Sequence, residues 1–339
     1  MSARMSRPWW VVSLWVVIVV GIVIEALRFI PSGQVAVSPG LTGNLRQMVE
    51  VKNAKGLGPG RMLMVAVDIG TASEFQYLTR WFRPTWQFEP EEAVLGSLNI
   101  NQYIQYNSAL MEQSQWAAKV AGERLAGLNA HIATYHGALV VGILKTGYAQ
   151  GQLKLGDVVT RIGSYPVTQY LGLRKVMGHF KVGQVVDVGV KRNGQSKVVP
   201  VKAVHIAGDA DPALGILVGP WQKPIIPRPV AIHPGQIGGP SAGMMFALEI
   251  YGQITGNNIA HGKIVAGTGE ISPNGQVVAI GGVQQKVVTV YRAGARVFVV
   301  PQANYQAAEF MAKKMGYHMK IYGVKNLKQA LQDFQMATS

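Results

Sequence analysis

The sequence predicts a multidomain α+β protein headed by one N-terminal transmembrane helix, with two further folded units behind it. Three observations carry this expectation. The 339 residues exceed one ordinary domain and fit two or three. Apolar residues make up 48% and charged residues 14%, with a mean hydropathy of +0.17, which excludes a mainly disordered chain and a solvated coiled coil. A long uncharged run opens the chain, and short strand-like and helix-like stretches follow it. The absence of cysteine removes disulfides, thiolate zinc sites, iron–sulfur clusters and cysteine nucleophiles. A formal charge of +15 comes from scattered Lys and Arg without a nucleic-acid module signature, so no nucleic-acid partner is expected.

Taken in order, residues 1–8 carry Arg4 and Arg7, and Trp9 to Ile24 reads WWVVSLWVVIVVGIVI without a charge. With Ala26, Leu27, Phe29 and Ile30 the apolar stretch covers 9–30, against the roughly 17–25 residues a bilayer core requires. The run is apolar all round and opens on a Trp pair suited to the lipid interface, so an anchor in contact with membrane lipid is expected. Basic residues precede it while Glu25 and Arg28 cancel beyond it, which places the N-terminus in the cytoplasm and the rest outside. Arginine in Ala26-Leu27-Arg28 stands where a cleavage site needs a small residue, so the anchor is expected to stay uncleaved. Residues 31–130 read as a membrane-proximal α+β region. It holds the apolar Arg61 to Ile69, a capping box at Ser73 and Gln76, and a helical stripe from about Asn101 to Ala126.

Residues 131–206 form the next unit. Gly137 to Leu144 is strand-like, Gln152 to Val167 supplies a turn, a strand and a tight turn, and Thr168 to Phe180 is a candidate helix. Val185 to Ala203 reads as a hairpin about Asn193-Gly194. This order, with HGALV at His136 to Val140 and LKLGDVV at Leu153 to Val159, resembles a bacterial PDZ domain. The resemblance implies that Tyr135, His136, Gly137, Ala138 and Leu139 offer backbone N–H groups to a peptide carboxylate, and that the strand after them accepts the peptide as an added strand.

Residues 207–339 hold the candidate chemistry. Gly-rich PGQIGGPSAG (Pro234 to Gly243) precedes an apolar helical run, Met244 to Ile254, capped by Gly256. A serine at a helix start reads first as an N-cap. Around Ser241, however, Gly239 and Pro240 before it and Ala242 and Gly243 after it leave the hydroxyl uncrowded, beside N–H groups able to stabilise an oxyanion. A Ser-His-Asp triad is not supported, because the only later aspartate, Asp333, follows both His261 and His318. A lysine deprotonated by burial can replace the histidine. Lys286 falls on the apolar stripe of Val283, Val287 and Val290, whereas Lys313, Lys314, Lys320, Lys325 and Lys328 read as solvated. Periodicity alone leaves a buried base and a snorkelling side chain equally open at Lys286.

QIGGPSAG, AGTGEISPNGQV (Ala266 to Val277), AIGGVQQKV (Ala279 to Val287) and YRAGARVFVVP (Tyr291 to Pro301) closely resemble, in order and spacing, the proteolytic domain of Lon peptidases. With the PDZ-like unit and the apolar N-terminus, the chain resembles the membrane-anchored, PDZ-containing Lon-type serine peptidases of Gram-positive bacteria. The resemblance implies a mixed α/β catalytic domain, Ser241 as nucleophile, Lys286 as general base, Thr268 as the threonine that hydrogen-bonds the lysine, and, in some members, ring assembly into homo-oligomers. One departure is Gly238, where many ATP-dependent Lon enzymes carry Asp. No P-loop pattern occurs, since Gly256 to Ile264 has one residue too many, and the histidines lack metal-ligand spacing, so neither ATP, another cofactor nor a metal is expected. The expected function is an ATP-independent, membrane-tethered serine endopeptidase that cleaves extracytoplasmic peptides or proteins selected by the PDZ unit. The alternative is a non-catalytic PDZ scaffold, which would need neither Ser241 nor Lys286.

Overall fold

A computed structural model describes residues 9–96, 100–144, 149, 151–206 and 211–339. The expected cytoplasmic N-terminus, residues 1–8, lies outside them. In chain order the helices and strands are α1 Trp9–Leu27, β1 Pro31–Asn44, α2 Leu45–Met48, β2 Val49–Val51, β3 Arg61–Ser73, α3 Glu74–Leu78, β4 Gln87–Pro90, α4 Glu91–Leu95 and α5 Ile100–Leu125. Then come β5 His131–Ile143, β6 Val158–Ile162, β7 Tyr165–Pro166, α6 Leu173–Met177, β8 Val185–Arg192, β9 Gln195–Lys202 and β10 Ile216–Ile225. The chain closes with β11 Val230–Ile232, α7 Gly243–Thr255, β12 Ile264–Gly267, β13 Glu270–Ile271, β14 Val277–Val278, α8 Val283–Arg292, β15 Val297–Pro301, α9 Tyr305–Lys314, β16 Lys320–Val324 and α10 Leu327–Thr338.

Among the described residues no helix is long and apolar enough to cross a membrane, which corrects the transmembrane helix expected over 9–30. Helix α1 ends at Leu27, and Pro31 already begins a strand. Its uncharged part, Trp9 to Ile24, rises roughly 24 Å at 1.5 Å per residue, short of the ~30 Å hydrocarbon core. Glu25 and Arg28 then pair with each other at 3.4 Å. The lipid contact expected through that anchor has no spanning helix to rest on.

The chain divides into two compact units, one of residues 1–131 and 226–339, the other Ile132–Ile225. The boundary expected near 130 therefore does not set residues 31–130 apart as a region of their own. The reason lies in β3. Its core stretch, Met62 to Val65, is buried at every position, so it needs cover on both faces, as a central strand does. It pairs antiparallel with β1 on one side and parallel with β12 on the other, giving a six-stranded sheet ordered β16-β15-β12-β3-β1-β4. Alternation sorts the side chains between two cores. Met62, Met64, Val265, Val297 and Val299 join a cluster with residues of α5, α7 and α10. Leu63, Val65, Ala266, Phe298 and Val300 join one with α8 and α9. The first unit is thus a three-layer α/β/α sandwich assembled from two separated stretches of chain.

The second unit is a sheet ordered β10-β5-β6-β8-β9, with β7 paired to β6, around a core that includes Val159, Ile162, Val188, Val190 and Met177. Asn193 and Gly194 take φ of 50° and 81°, the left-handed pair that a two-residue hairpin turn between β8 and β9 requires. In LKLGDVV, Asp157 is buried and held by Arg192 through two contacts of 2.7 Å. Burial pushes its carboxyl up, but the Arg192 bonds and the Lys154 N–H outweigh it and hold the group below the usual carboxylate range. The expected helix over Thr168 to Phe180 is shorter, a 3₁₀ turn at Tyr170–Gly172 followed by α6.

Candidate active site

Three elements deliver the reactive groups. Ser241 sits in a 3₁₀ turn, Pro240–Ala242, that leads straight into α7. Its side chain makes no capping bond, and Gly239 enters the turn at φ 86°, a conformation that suits glycine. The hydroxyl that a helix start would use as a cap is therefore free for other work. Thr268 follows the end of β12, and Lys286 lies in the first turn of α8.

Lys286 is 2% exposed and Thr268 is fully buried, while Ser241 is only half-buried and so open to a substrate. Lys286 Nζ lies 2.7 Å from Ser241 Oγ and 3.0 Å from Thr268 Oγ1. Thr268 Oγ1 donates in turn to the Ser241 carbonyl at 3.0 Å. A hydroxyl has one proton, and Thr268 spends it on that carbonyl, so its oxygen can only accept from Lys286. One N–H of the lysine is thereby pinned, and its nitrogen is held within hydrogen-bond distance of the serine hydroxyl. Burial lowers the Lys286 pKa to about 7, with no carboxylate to restore the charge. The neutral amine is therefore accessible near neutral pH, where an exposed lysine stays protonated. The periodicity that left two readings open for this lysine is thus resolved by packing, which puts its head group inside the core.

Gly239 and Pro240 shape the approach to the serine. The Gly239 N–H donates to the Asn107 carbonyl at 2.8 Å, and the Pro240 carbonyl accepts from the Ser114 hydroxyl at 2.8 Å. Both partners belong to α5, which sequence reasoning assigned no part in the site. Asn107 acts through its backbone carbonyl, which leaves no mark in the sequence, and Ser114 is a lone hydroxyl on the helical stripe. Among the described residues no group of three or more His, Asp or Glu side chains could hold a metal.

Tyr135 to Leu139, expected to cradle a peptide carboxylate, do not form a loop. All five lie within β5, and Ala138 and Leu139 pair with β6 while β10 lies along the other edge. The Gly137 N–H donates to the Thr168 carbonyl at 3.3 Å. From Gly137 to Leu139 the chain itself occupies the β6 side of β5 while β10 neighbours the other, which leaves no open edge for an added peptide strand over those residues. The missing signal was β10, which lies some seventy residues on in sequence and has no sequence feature naming its partner.

Serine, buried lysine and orienting threonine on an α/β sandwich define the class of a Ser-Lys hydrolytic site. The comparisons then narrow it. Residues 230–336 match the Lon protease (S16) C-terminal proteolytic domain, and residues 122–203 match a PDZ domain. A Lon protease of Trichlorobacter lovleyi is 36% identical over 94 residues, covering 28% of this chain and 11% of that protein. One of Finegoldia magna is 34% identical over 95 residues, covering 28% and 12%. This chain thus spans only about an eighth of the length of these relatives or less. The crystallised PDZ domain of an SdrC-like protein from Listeria monocytogenes aligns at 23% identity and a TM-score of 0.24 over 25% of this chain and 90% of that one. A Lon-type proteolytic domain and a PDZ domain are both present, and the matches support a serine peptidase. The Lon-type match begins at β11, so β1, β3 and α5 complete its sheet and its active-site loop from outside the matched span.

Proposed function

We propose that the protein is an ATP-independent serine endopeptidase in which Ser241 is the nucleophile and Lys286 the general base. The observation that carries the reading is the 2.7 Å approach of a buried lysine amine to an accessible serine hydroxyl. As Ser241 Oγ attacks a peptide carbonyl, its proton passes to the neutral amine of Lys286, and Thr268 keeps that amine aimed. The negative charge on the carbonyl oxygen meets N–H groups at the start of the turn and α7. Collapse of the tetrahedral adduct breaks the C–N bond, and the Lys286 ammonium returns the proton to the leaving amine. Water then attacks the acyl-serine with Lys286 again taking the proton, which releases the acid and restores the hydroxyl.

The PDZ unit is proposed to select peptide or protein substrates by strand addition, moved from β5 to the outer edge of β10. That edge ends the sheet among the described residues. The Gly215 carbonyl accepts from the Leu144 N–H, so Gly215 faces β5, and by alternation Ile216 and Val218 turn their backbone groups outward. Pro220, on the same outward parity, has no N–H and limits the addition to a short segment. Action outside the cytoplasm belongs to the same proposal.

The test is Ser241-dependent hydrolysis of fluorogenic peptides by the purified chain. No difference between the parent and Ser241→Ala would leave the scaffold reading. Sensitivity of the protein in intact cells to added protease tests the location.

A further inference from the structure

Helix α5 reaches the active-site loop with two residues on one face. The Asn107 carbonyl takes the Gly239 N–H at 2.8 Å, and the Ser114 hydroxyl, 4% exposed, donates to the Pro240 carbonyl at 2.8 Å. The approach is close because small residues line it. A Cβ at Gly243 would come 2.5 Å from Ser114 Oγ, and one at Gly122 would come 2.6 Å from the Ala247 carbonyl oxygen. We propose that Ser114 is a positioning residue for peptide hydrolysis: its hydroxyl fixes the Pro240–Ser241 peptide plane and so aims the Ser241 N–H at the oxyanion formed when Ser241 attacks.

The geometry is that of a trans peptide, in which C=O and N–H point opposite ways, and no cis bond occurs among the described residues. The Pro240 carbonyl is held by Ser114 and by the Gly243 N–H. The next carbonyl, of Ser241, is held by the Thr268 hydroxyl at 3.0 Å and the Gly269 N–H at 2.7 Å. With two successive carbonyls each drawn to two donors, the Ser241 and Ala242 N–H groups are turned to the other side. They open a helical segment, where N–H groups have no intrahelical acceptor, and so are available to a developing negative charge. Three of the four holds come from within the matched proteolytic span, and Ser114 supplies the fourth from outside it. Without it the Pro240 plane would rest on one 3₁₀ bond, whose geometry is poorer than an α-helical one.

The proposal rests on Ser241 being the nucleophile, and its test separates the two. The parent chain and Ser114→Ala are compared for kcat, KM, pH profile, melting temperature and inhibition by a peptidyl aldehyde, whose hemiacetal oxygen mimics the oxyanion. The expected result is a fall in kcat of about tenfold or more, KM within twofold, an unmoved acid limb and an aldehyde affinity weakened by the same factor as kcat. A kcat within twofold of the parent overturns the proposal while leaving Ser241 untouched. So does a rise in KM that accounts for the loss, or melting below the assay temperature, which assigns Ser114 to folding. A parent chain with no Ser241-dependent turnover overturns both readings.

Discussion

In the proposed mechanism, the cost of burying the Lys286 charge becomes the means of activating Ser241. Lys286→Ala and Lys286→Arg should both abolish hydrolysis, the second because a guanidinium stays protonated; near-parental turnover in either variant removes the lysine from the base role. Ser241→Ala should abolish it while the protein still folds, because that hydroxyl makes no capping bond and its loss removes one hydrogen bond, the one from Lys286. Only the neutral amine accepts the serine proton, so kcat/KM should rise with pH through about 7 and level off above it. A profile flat from pH 5 to 9 in folded protein contradicts this. The same shift makes a stability prediction. Folded Lys286 loses its proton near 7 while the unfolded chain keeps it to about 10.5, so between those values the unfolded state binds more protons and stability rises with pH. Lys286→Met should therefore stabilise the protein most below pH 7, by an amount on the order of a few kcal/mol, and the gain should shrink toward pH 10. Thermal melts of both proteins across that range check it.

The elements that present these residues are held by close backbone approaches, and two of them can be probed singly. Gly122 lets α5 pack against α7, and a side chain there meets the Ala247 carbonyl oxygen and Ile250. Gly122→Ala should destabilise by roughly 1–3 kcal/mol despite alanine's better helix propensity, because backbone must move to admit the methyl group. A gain in melting temperature would show that α5 and α7 are not in contact there. In β10, Val218→Pro removes one outward N–H from the edge that ends the sheet among the described residues. It should weaken binding of an extended peptide to the full chain by about tenfold while sparing hydrolysis of short unselective peptides; unchanged peptide binding, measured by calorimetry, would move the docking edge away from β10. The hairpin about Asn193-Gly194, the capping box of Ser73 and Gln76, and the Gly256 cap, at φ 80°, were all legible in the sequence, because each depends on residues a few positions apart. The strand neighbours of β5 and β3 were not, because pairing between distant segments leaves no local mark.

For the whole molecule, the two-unit division predicts a separable division of labour. Replacing Ile132–Ile225 by a short flexible linker should keep cleavage of short peptides and impair cleavage of folded or selected protein substrates. Equal losses on both would mean that the second unit supports the first instead of selecting for it. By themselves, the ordered GGPSAG, TGE and VQQKV blocks pointed to a Ser-Lys site through their resemblance to the Lon proteolytic domain, while the periodicity around Lys286 left a buried base and a snorkelling side chain equally open. LKLGDVV and the hairpin likewise marked the PDZ-like unit. Tertiary structure decided the rest. It made the sheet of the proteolytic unit from β1 and β3 as well as the later strands, put α5 behind the nucleophile, and laid β10 along β5. It also ended α1 before its apolar length could cross a bilayer. These outcomes depend on which buried faces find each other between segments distant in sequence, and on the total burial that lowers a lysine's pKa, neither of which a local stretch of sequence contains.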